Sequence, residues 1–342
     1  MSQQPLTTRT EILFVHDIAD ANPNGDPNDE NRPRMDIETG KAKVSDVRLK
    51  RTIRDYLHEV CGEEIFVREI EKSDGTIQDG KGRAEDFSGG FSGTTVLQKR
   101  DHIRDRVLET CIDARLFGAT IPVSMTINKA EKKSSVTLTG PVQFAMGTSL
   151  HRVEPRFIKG TGAFASGQGK EQKTFREEYV LPYALIAFYG IVNQQAAKTT
   201  QLTQADTEKL FEAIWYGTKN LITRSKIGQR PLLLLLVEYT AENANSYIGR
   251  LDRFLDVNRQ NGDIVHPSNG AEIRDEELRD VSQAQLDLDR LEKALSDRRD
   301  KIARIRFAWD PRLSLSSAPT ESNGKWTFPG FPAERSAKLE YV

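Results

Sequence analysis

Positive charge gathers where a helix should begin. Residues 45–54 read Ser-Asp-Val-Arg-Leu-Lys-Arg-Thr-Ile-Arg, which puts Arg48, Lys50, Arg51 and Arg54 in the opening turns of a helix. Ser45 suits the N-cap, because its hydroxyl can accept from the unbonded amides of the first turn. The helix dipole already leaves partial positive charge at that end. Each added cation therefore costs roughly a few tenths of a kcal/mol unless an anion is bound there. A phosphate group is an anion of that kind, and a solvated basic face is the plainer alternative. On a 3.6-residue period Leu49, Ile53, Tyr56 and Val60 make one stripe, expected to be buried, with Lys50, Arg51 and Arg54 beside it and Arg48 further round.

Other chemistries have thinner support. The five histidines show no metal-ligand spacing, and His16 and Asp17, as neighbours on a strand, point to opposite faces. Asp26, Asp29 and Asp36 could gather a divalent metal as oxygen ligands, although acids in a Pro/Gly loop are more often turn formers. Neither a P-loop nor a G-x-G-x-x-G run is present. Nothing demands an active site.

The elements that must position the basic helix can be read in order. Residues 11–18, rich in Ile, Leu, Phe and Val, predict a strand that feeds a loop with three turn formers, Asn22-Pro23, Asn24-Gly25 and Asp26-Pro27. Residues 62–100 look like an insertion with little core, with an apolar run at 65–70, a turn at Asp74-Gly75 and a Gly-rich tract at 79–93. A second helix is expected over 100–116, then strands at 120–127 and 135–138 around a turn at 131–133. The stretch 159–173 has four glycines, three lysines and one aromatic, Phe164, and reads as a surface loop, mobile until a partner orders it. Residues 178–192 read as a strand passing into helix near Pro182. Thr203 fits as N-cap of a helix over 204–223, and the run 232–237 suits a central strand buried on both faces. A strand–helix–strand plan in each half predicts an α+β fold, a ferredoxin-like β-α-β-β-α-β sheet with insertions. Residues 275–305 predict a long helix with Leu288, Leu291, Leu295, Ile302 and Ile305 as its seam, before an irregular tail.

Composition sets the bounds. The chain has 342 residues, 29% charged and 37% hydrophobic, which allows two domains or one with large insertions. A net charge of −1 argues against a uniformly basic nucleic-acid binder. The charge is uneven, however. Residues 32–54 hold eight Lys/Arg against three acids, and 151–176 hold six against two. Residues 224–230 add three with no acid, while 271–300 carry ten acids and six bases. Such patches fit a specific groove better than general adhesion. Cys61 and Cys111 give neither a disulfide framework nor zinc spacing, and no apolar run is long enough to span a bilayer. The N-terminus also lacks the apolar core of a signal peptide. A soluble cytoplasmic protein without membrane contact is expected.

The motifs NPNGDP, NRPRMD, VSDVRLKRTIR, FGAT, GTGAF, LPYALIAFYG and TRSKIGQRPLLLLLVEY, in that order, resemble the DevR-type branch of the CRISPR Cas-seven family. Within that branch the likeness is to the backbone subunits of type I-B Cascade. The resemblance implies a modified RRM-like palm over 11–60 and 100–255, with a thumb inserted at about 140–176 and a finger-like insertion at 61–99. It does not reach 256–342, expected as a helical extension and tail. It further implies copies assembled head to tail on a CRISPR guide RNA, with the exposed bases free to pair with target DNA and with other Cascade subunits as partners.

By the same resemblance Ser45, Lys50, Arg51 and Arg54 lie against the guide. Thr161 and Phe164 belong to the thumb, where Phe164 would wedge an unstacked base, and Arg224, Ser225 and Lys226 make a second phosphate contact. Asn22, Asn24 and Arg48 complete the expected RNA-binding set, with no catalytic residue, metal or cofactor. The enzymatic alternative within the superfamily is a metal-dependent endoribonuclease using Asp26 or Asp36. A guide-processing ribonuclease with His16 as its acid–base is a third.

Overall fold

The computed structural model describes residues 4–165 and 173–341, the side chains of 161–165 and 173–176 apart. Two units are distinguished, one of Met1–Arg9, Lys50–Gln143 and Ile191–Ile214, the other of Thr10–Leu49, Phe144–Gly190 and Trp215–Val342. The second carries a mixed sheet. Its strands include β1 (Thr10–Ala21), β2 (Lys41–Val44), β3 (Gly147–Ser149), β4 (Arg156–Ala165), β5 (Lys173–Val192), β6 (Arg230–Tyr239), β7 (Ile302–Trp309) and β8 (Ser336–Lys338). Along the sheet the order is β8-β7-β6-β1-β5-β3-β2, with β4 paired to β5.

The leucine run explains the centre. Leu232 to Leu236 and Val237 are all fully buried, so β6 has apolar neighbours on both faces, as expected of an inner strand. It runs antiparallel to β1 and to β7, with Leu235 opposite Leu13 on one side and Phe307 on the other. Residues 178–192 do not pass into helix. They continue a strand of 20 residues. Pro182 stands just past Val180, where the β4 ladder ends, so its missing N–H costs that ladder nothing on that side. The stretch expected as a loop at 159–173 is strand at 159–165 and at 173, because β4 and β5 pair from Arg156↔Val180 to Ala165↔Lys173. The rest of it, 166–172, lies outside the described residues.

The other unit is mostly helical. It contains the greater part of α1 (Asp46–Glu59), then α2 (Gly80–Glu85), α3 (Val96–Thr110), α4 (Ile112–Phe117) and the start of α5 (Gln204–Lys219). Leu49, Ile53 and Tyr56 are buried as their spacing predicts, but Val60 is 61% exposed because α1 has ended. The Gly-rich tract holds more core than expected. Asp79 caps α2 by accepting from Gly82 N at 2.7 Å, and Ala84 and Phe66 join Ile103, Val107 and Leu138 in one apolar cluster. The helix expected over 100–116 starts earlier, where Thr95 and Gln98 form a capping box, and breaks at Cys111, which is extended. Strands Gly118–Ile127 and Ala130–Thr139 turn at Asn128-Lys129, both left-handed, rather than at 131–133. Thr203 caps α5, its Oγ1 accepting from Asp206 N at 3.2 Å.

The long helix expected over 275–305 is absent. Short 3-10 turns at Asp275–Glu277 and Val281–Gln283 lead to a strand, Gln285–Asp287, and then to α6 (Asp289–Asp297) and β7. Asp280 and Gln283 form a capping box that starts a new turn inside the supposed helix. Gln285–Asp287 then pairs with Asp256–Val257 and Ser314–Leu315. Leu288, Leu291, Leu295, Ile302 and Ile305 are all buried, so the seam is real but is made by a helix and a strand in succession.

Candidate nucleic-acid interface

In the sheet-bearing unit the loop after β1 is fastened to two other segments. Asn22 N donates to Ser225 O at 2.8 Å, and Asn22 Nδ2 donates to Asn31 O at 2.7 Å. Asn24 Oδ1 accepts from Ser45 N at 2.8 Å, while Asn24 O accepts from Arg34 N at 3.1 Å. Ser45 Oγ in turn accepts from Arg48 N at 3.3 Å, which is the N-cap expected from sequence. A Cβ at Gly25 would fall 2.8 Å from the backbone oxygen of Asn31, closer than real Cβ atoms come. Asn22 and Asn24, expected as RNA ligands, also brace this frame. The exception is Asn22 Oδ1, buried without a hydrogen-bond partner among the described residues.

This frame ties the segments that carry Arg48 and Lys226 to the same loop. Lys226 is half-buried, with Nζ donating to Ser225 Oγ at 3.1 Å, and its pKa is lowered first by burial and then by the positive charge of Arg48. Like charges that raise each other's cost in a partly desolvated place favour an anion nearby. Arg224 is exposed beside them, and so are Ile222 at 80% and Ile227 at 62%. Arg230, counted with this basic segment, is committed elsewhere. Its guanidinium donates to the buried Asp17 carboxylate, with Nε at 2.9 Å from Oδ1.

The expected metal residues are ion-paired, and the expected acid–base residue, His16, is buried with Nδ1 lacking a hydrogen-bond partner among the described residues. His16 is stacked between Phe14 and Phe188, with ring centroids 5.6 and 6.0 Å away, and burial pushes its pKa down to about 4. Asp26 pairs with Arg34 at 2.9 Å, Asp29 with Arg32 at 3.7 Å and Asp36 with Lys43 at 3.6 Å. The amide of Thr39 helps to hold the Asp36 carboxyl below its usual range. Among the described residues no three His, Cys, Asp or Glu side chains are placed to share a metal ion.

Later on α1, in the helical unit, the basic residues meet protein groups. Arg54 Nε donates to Asp113 Oδ2 at 2.9 Å, and its guanidinium lies 5.0 Å over the Phe117 ring. Asp113 is fully buried and also accepts from Phe66 N at 2.7 Å and Val67 N at 3.1 Å. Lys50 Nζ donates to Gln143 Oε1 at 3.0 Å, and Arg51 Nε to Asp55 Oδ1 at 2.7 Å. Arg54 is thus a structural tie. Lys50 and Arg51 remain partly exposed.

A family model for CRISPR-associated protein Cas7 matches residues 8–289. The chain belongs to the Cas7 family. A CRISPR-associated protein Cas7 from Haloferax volcanii is 32% identical over 319 residues, covering 90% of this chain and 88% of that one. A solved chain described as CRISPR RNA-guided surveillance complex, pre-nicking, is similar with a TM-score of 0.49 at 12% identity, over 91% of this chain and 96% of that one. Another, described as CRISPR RNA-guided surveillance complex, gives 0.44 at 12% identity, over 91% and 95%. The family match runs on to 289, past the point near 255 where the sequence motifs stop.

In this Cas7-family chain the residues expected in a thumb are placed by backbone alone: Thr161 sits opposite Phe175, Phe164 lies one residue before the end of β4, and both side chains are outside the described residues. Sequence reasoning overlooked an aromatic group near the base of the β4–β5 pair. Phe157 is 50% exposed and 5.0 Å from the Tyr179 ring, and Arg32 lies 4.5 Å over the other partner of that pair, Tyr179, donating from Nη2 to its hydroxyl at 3.0 Å. A cleft of about 640 Å³ lies there, lined by Arg32, Arg34, Ile37, Met146 and Tyr179 among others. The two rings meet because Phe157 and Tyr179 are direct cross-strand partners. In the sequence Phe157 and Tyr179 are 22 positions apart, and no local pattern joins them.

Proposed function

We propose that this chain is the guide-RNA-binding backbone subunit of a type I Cascade complex, of the I-B kind. It acts in the cytoplasm, assembles head to tail along the guide, presents the bases for pairing with target DNA and leaves cutting to other proteins. The observation that carries this reading is the Cas7-family match over residues 8–289, and the basic segments at Arg48 and Lys226, both tied to the loop after β1 through Asn22, Asn24, Ser45 and Ser225, support it. A guide phosphate near the two cations would relieve their mutual repulsion. The strand order β6-β1-β5-β3 supports an RRM-like palm, with the β4–β5 arm as its thumb. A scaffold that serves any spacer gains from binding phosphates and 2′-hydroxyls rather than base edges, which suits cations on a backbone-braced frame.

The test is RNA binding by the Arg48→Ala/Lys226→Ala double variant, with guides of unrelated spacer sequence. Affinity should fall alike for all of them, and the salt slope should drop by about 0.7 for each phosphate no longer neutralised. A weakening restricted to one spacer, or none at all, would refute the reading.

A further inference from the structure

A second basic cleft lies in the sheet-bearing unit. In β2, Ala42 and Val44 are buried, and Lys41 and Lys43 take the other face. With the turn that carries Arg250 and Arg253, they line a cleft of about 340 Å³. That is near the small end of ligand sites, which run from about 300 to 1,000 Å³.

Charge in the cleft is not balanced. Asp36 is 3.6 Å from Lys43, and Asp252 is held by the Arg250 guanidinium, with Arg250 Nε at 2.9 Å from its Oδ1. Asp256 faces Arg259 at 3.6 Å, so each carboxylate of the lining already has a cation. Lys41 Nζ reaches a neutral group, the Leu150 carbonyl, at 3.4 Å, and Arg253 is exposed with no ion pair among the described residues. These two cations are in surplus.

The turn is held with unusual firmness. Arg250 has φ of 49°, a left-handed conformation that a non-glycine residue adopts at a cost and that clusters at ligand clamps. The buried carboxylate of Glu11 fixes the two residues before it, accepting from Gly249 N at 2.7 Å and Ile248 N at 2.8 Å. Glu11 also accepts from the hydroxyls of Tyr189 and Tyr239. Four donors on one buried carboxylate leave the turn little freedom, so the two arginines are presented on a rigid support.

We propose that this cleft binds a phosphate group through Lys41 and Arg253, separately from the Arg48–Lys226 pair. The phosphate is either that of a mononucleotide or one in a nucleic-acid strand. The proposal stands on the cleft's own charges and does not need the guide-RNA reading.

The full chain is titrated with inorganic phosphate, adenosine 5′-monophosphate and a short single-stranded RNA by calorimetry, as wild type, Lys41→Ala/Arg253→Ala and Arg48→Ala/Lys226→Ala. Binding of phosphate and the monophosphate should weaken about tenfold or more in the Lys41/Arg253 variant and persist in the Arg48/Lys226 variant. A matching loss of RNA affinity and salt slope assigns the site to a strand phosphate. Unchanged RNA binding beside weakened monophosphate binding assigns it to a free nucleotide. Equal binding of all three probes by wild type and the Lys41/Arg253 variant overturns the proposal. Arg253→Ala alone, at an exposed position, gives the same reading should the double variant fold poorly.

Discussion

Two arginines six residues apart on α1 have opposite surroundings. Arg54 faces the buried Asp113, whose remaining lone pairs take the amides of Phe66 and Val67. Arg48 lies near enough to Lys226, another cation, to add to the lowering of its pKa that burial begins. The first charge is matched by a buried carboxylate and serves folding. The second adds positive charge to the surroundings of the half-buried Lys226, where an anion would be favourable. A count of basic residues along the helix cannot tell these apart.

The largest effect should come from Arg54→Ala. It would strand a fully buried carboxylate, and breaking a pair of that kind costs roughly 3–5 kcal/mol. Urea denaturation should show that loss, and any fall in RNA binding should follow the folded fraction. Full stability with weakened RNA binding would reverse the assignment and return Arg54 to the interface. Asn24→Ala comes next. It removes the acceptor for Ser45 N, at a cost of about 1 kcal/mol. Asn24→Asp keeps that acceptor and should recover the stability. If Asn24 were instead an RNA ligand, both variants would melt like the wild type and bind RNA poorly.

Much of this was legible in the sequence where one strong local signal decided the matter. The leucines of β6, the Ser45 cap and the Thr203 cap needed no distant partner to be read. The failures have a common cause. The 288–305 seam is periodic whether a helix continues or yields to a strand, and its pairing with β6 lies about 70 residues away in sequence. Arg54 and Lys50 look alike on a helical wheel until Asp113 is brought up by α4. The Asn22 and Asn24 braces depend on Ser225 and Ser45, partners that turn propensity does not name. Side-chain type was readable, and the identity of each partner was not.

The smallest effect is also the sharpest discriminator. Lys226 carries a cost in the unliganded protein, because its folded pKa lies below the ordinary value of 10.5. Below the folded pKa the lysine is charged in both folded and unfolded states, and the full cost of holding that charge is present. As pH rises through the folded pKa the folded protein sheds the proton first, and the cost fades until the unfolded chain titrates as well. Lys226→Met removes the charge outright. The variant should therefore be slightly more stable than wild type at neutral pH, by about 0.5 kcal/mol or less for a half-exposed group in screening solvent. The difference should shrink as pH approaches the ordinary lysine value, while RNA binding by the variant is weakened at every pH where wild type binds. Paired thermal melts across that range read the first effect, and a binding isotherm at neutral pH reads the second. A methionine variant less stable than wild type at neutral pH would mean that Lys226 is satisfied within the protein. The contrast with Arg54 would then collapse, because both cations would serve the fold.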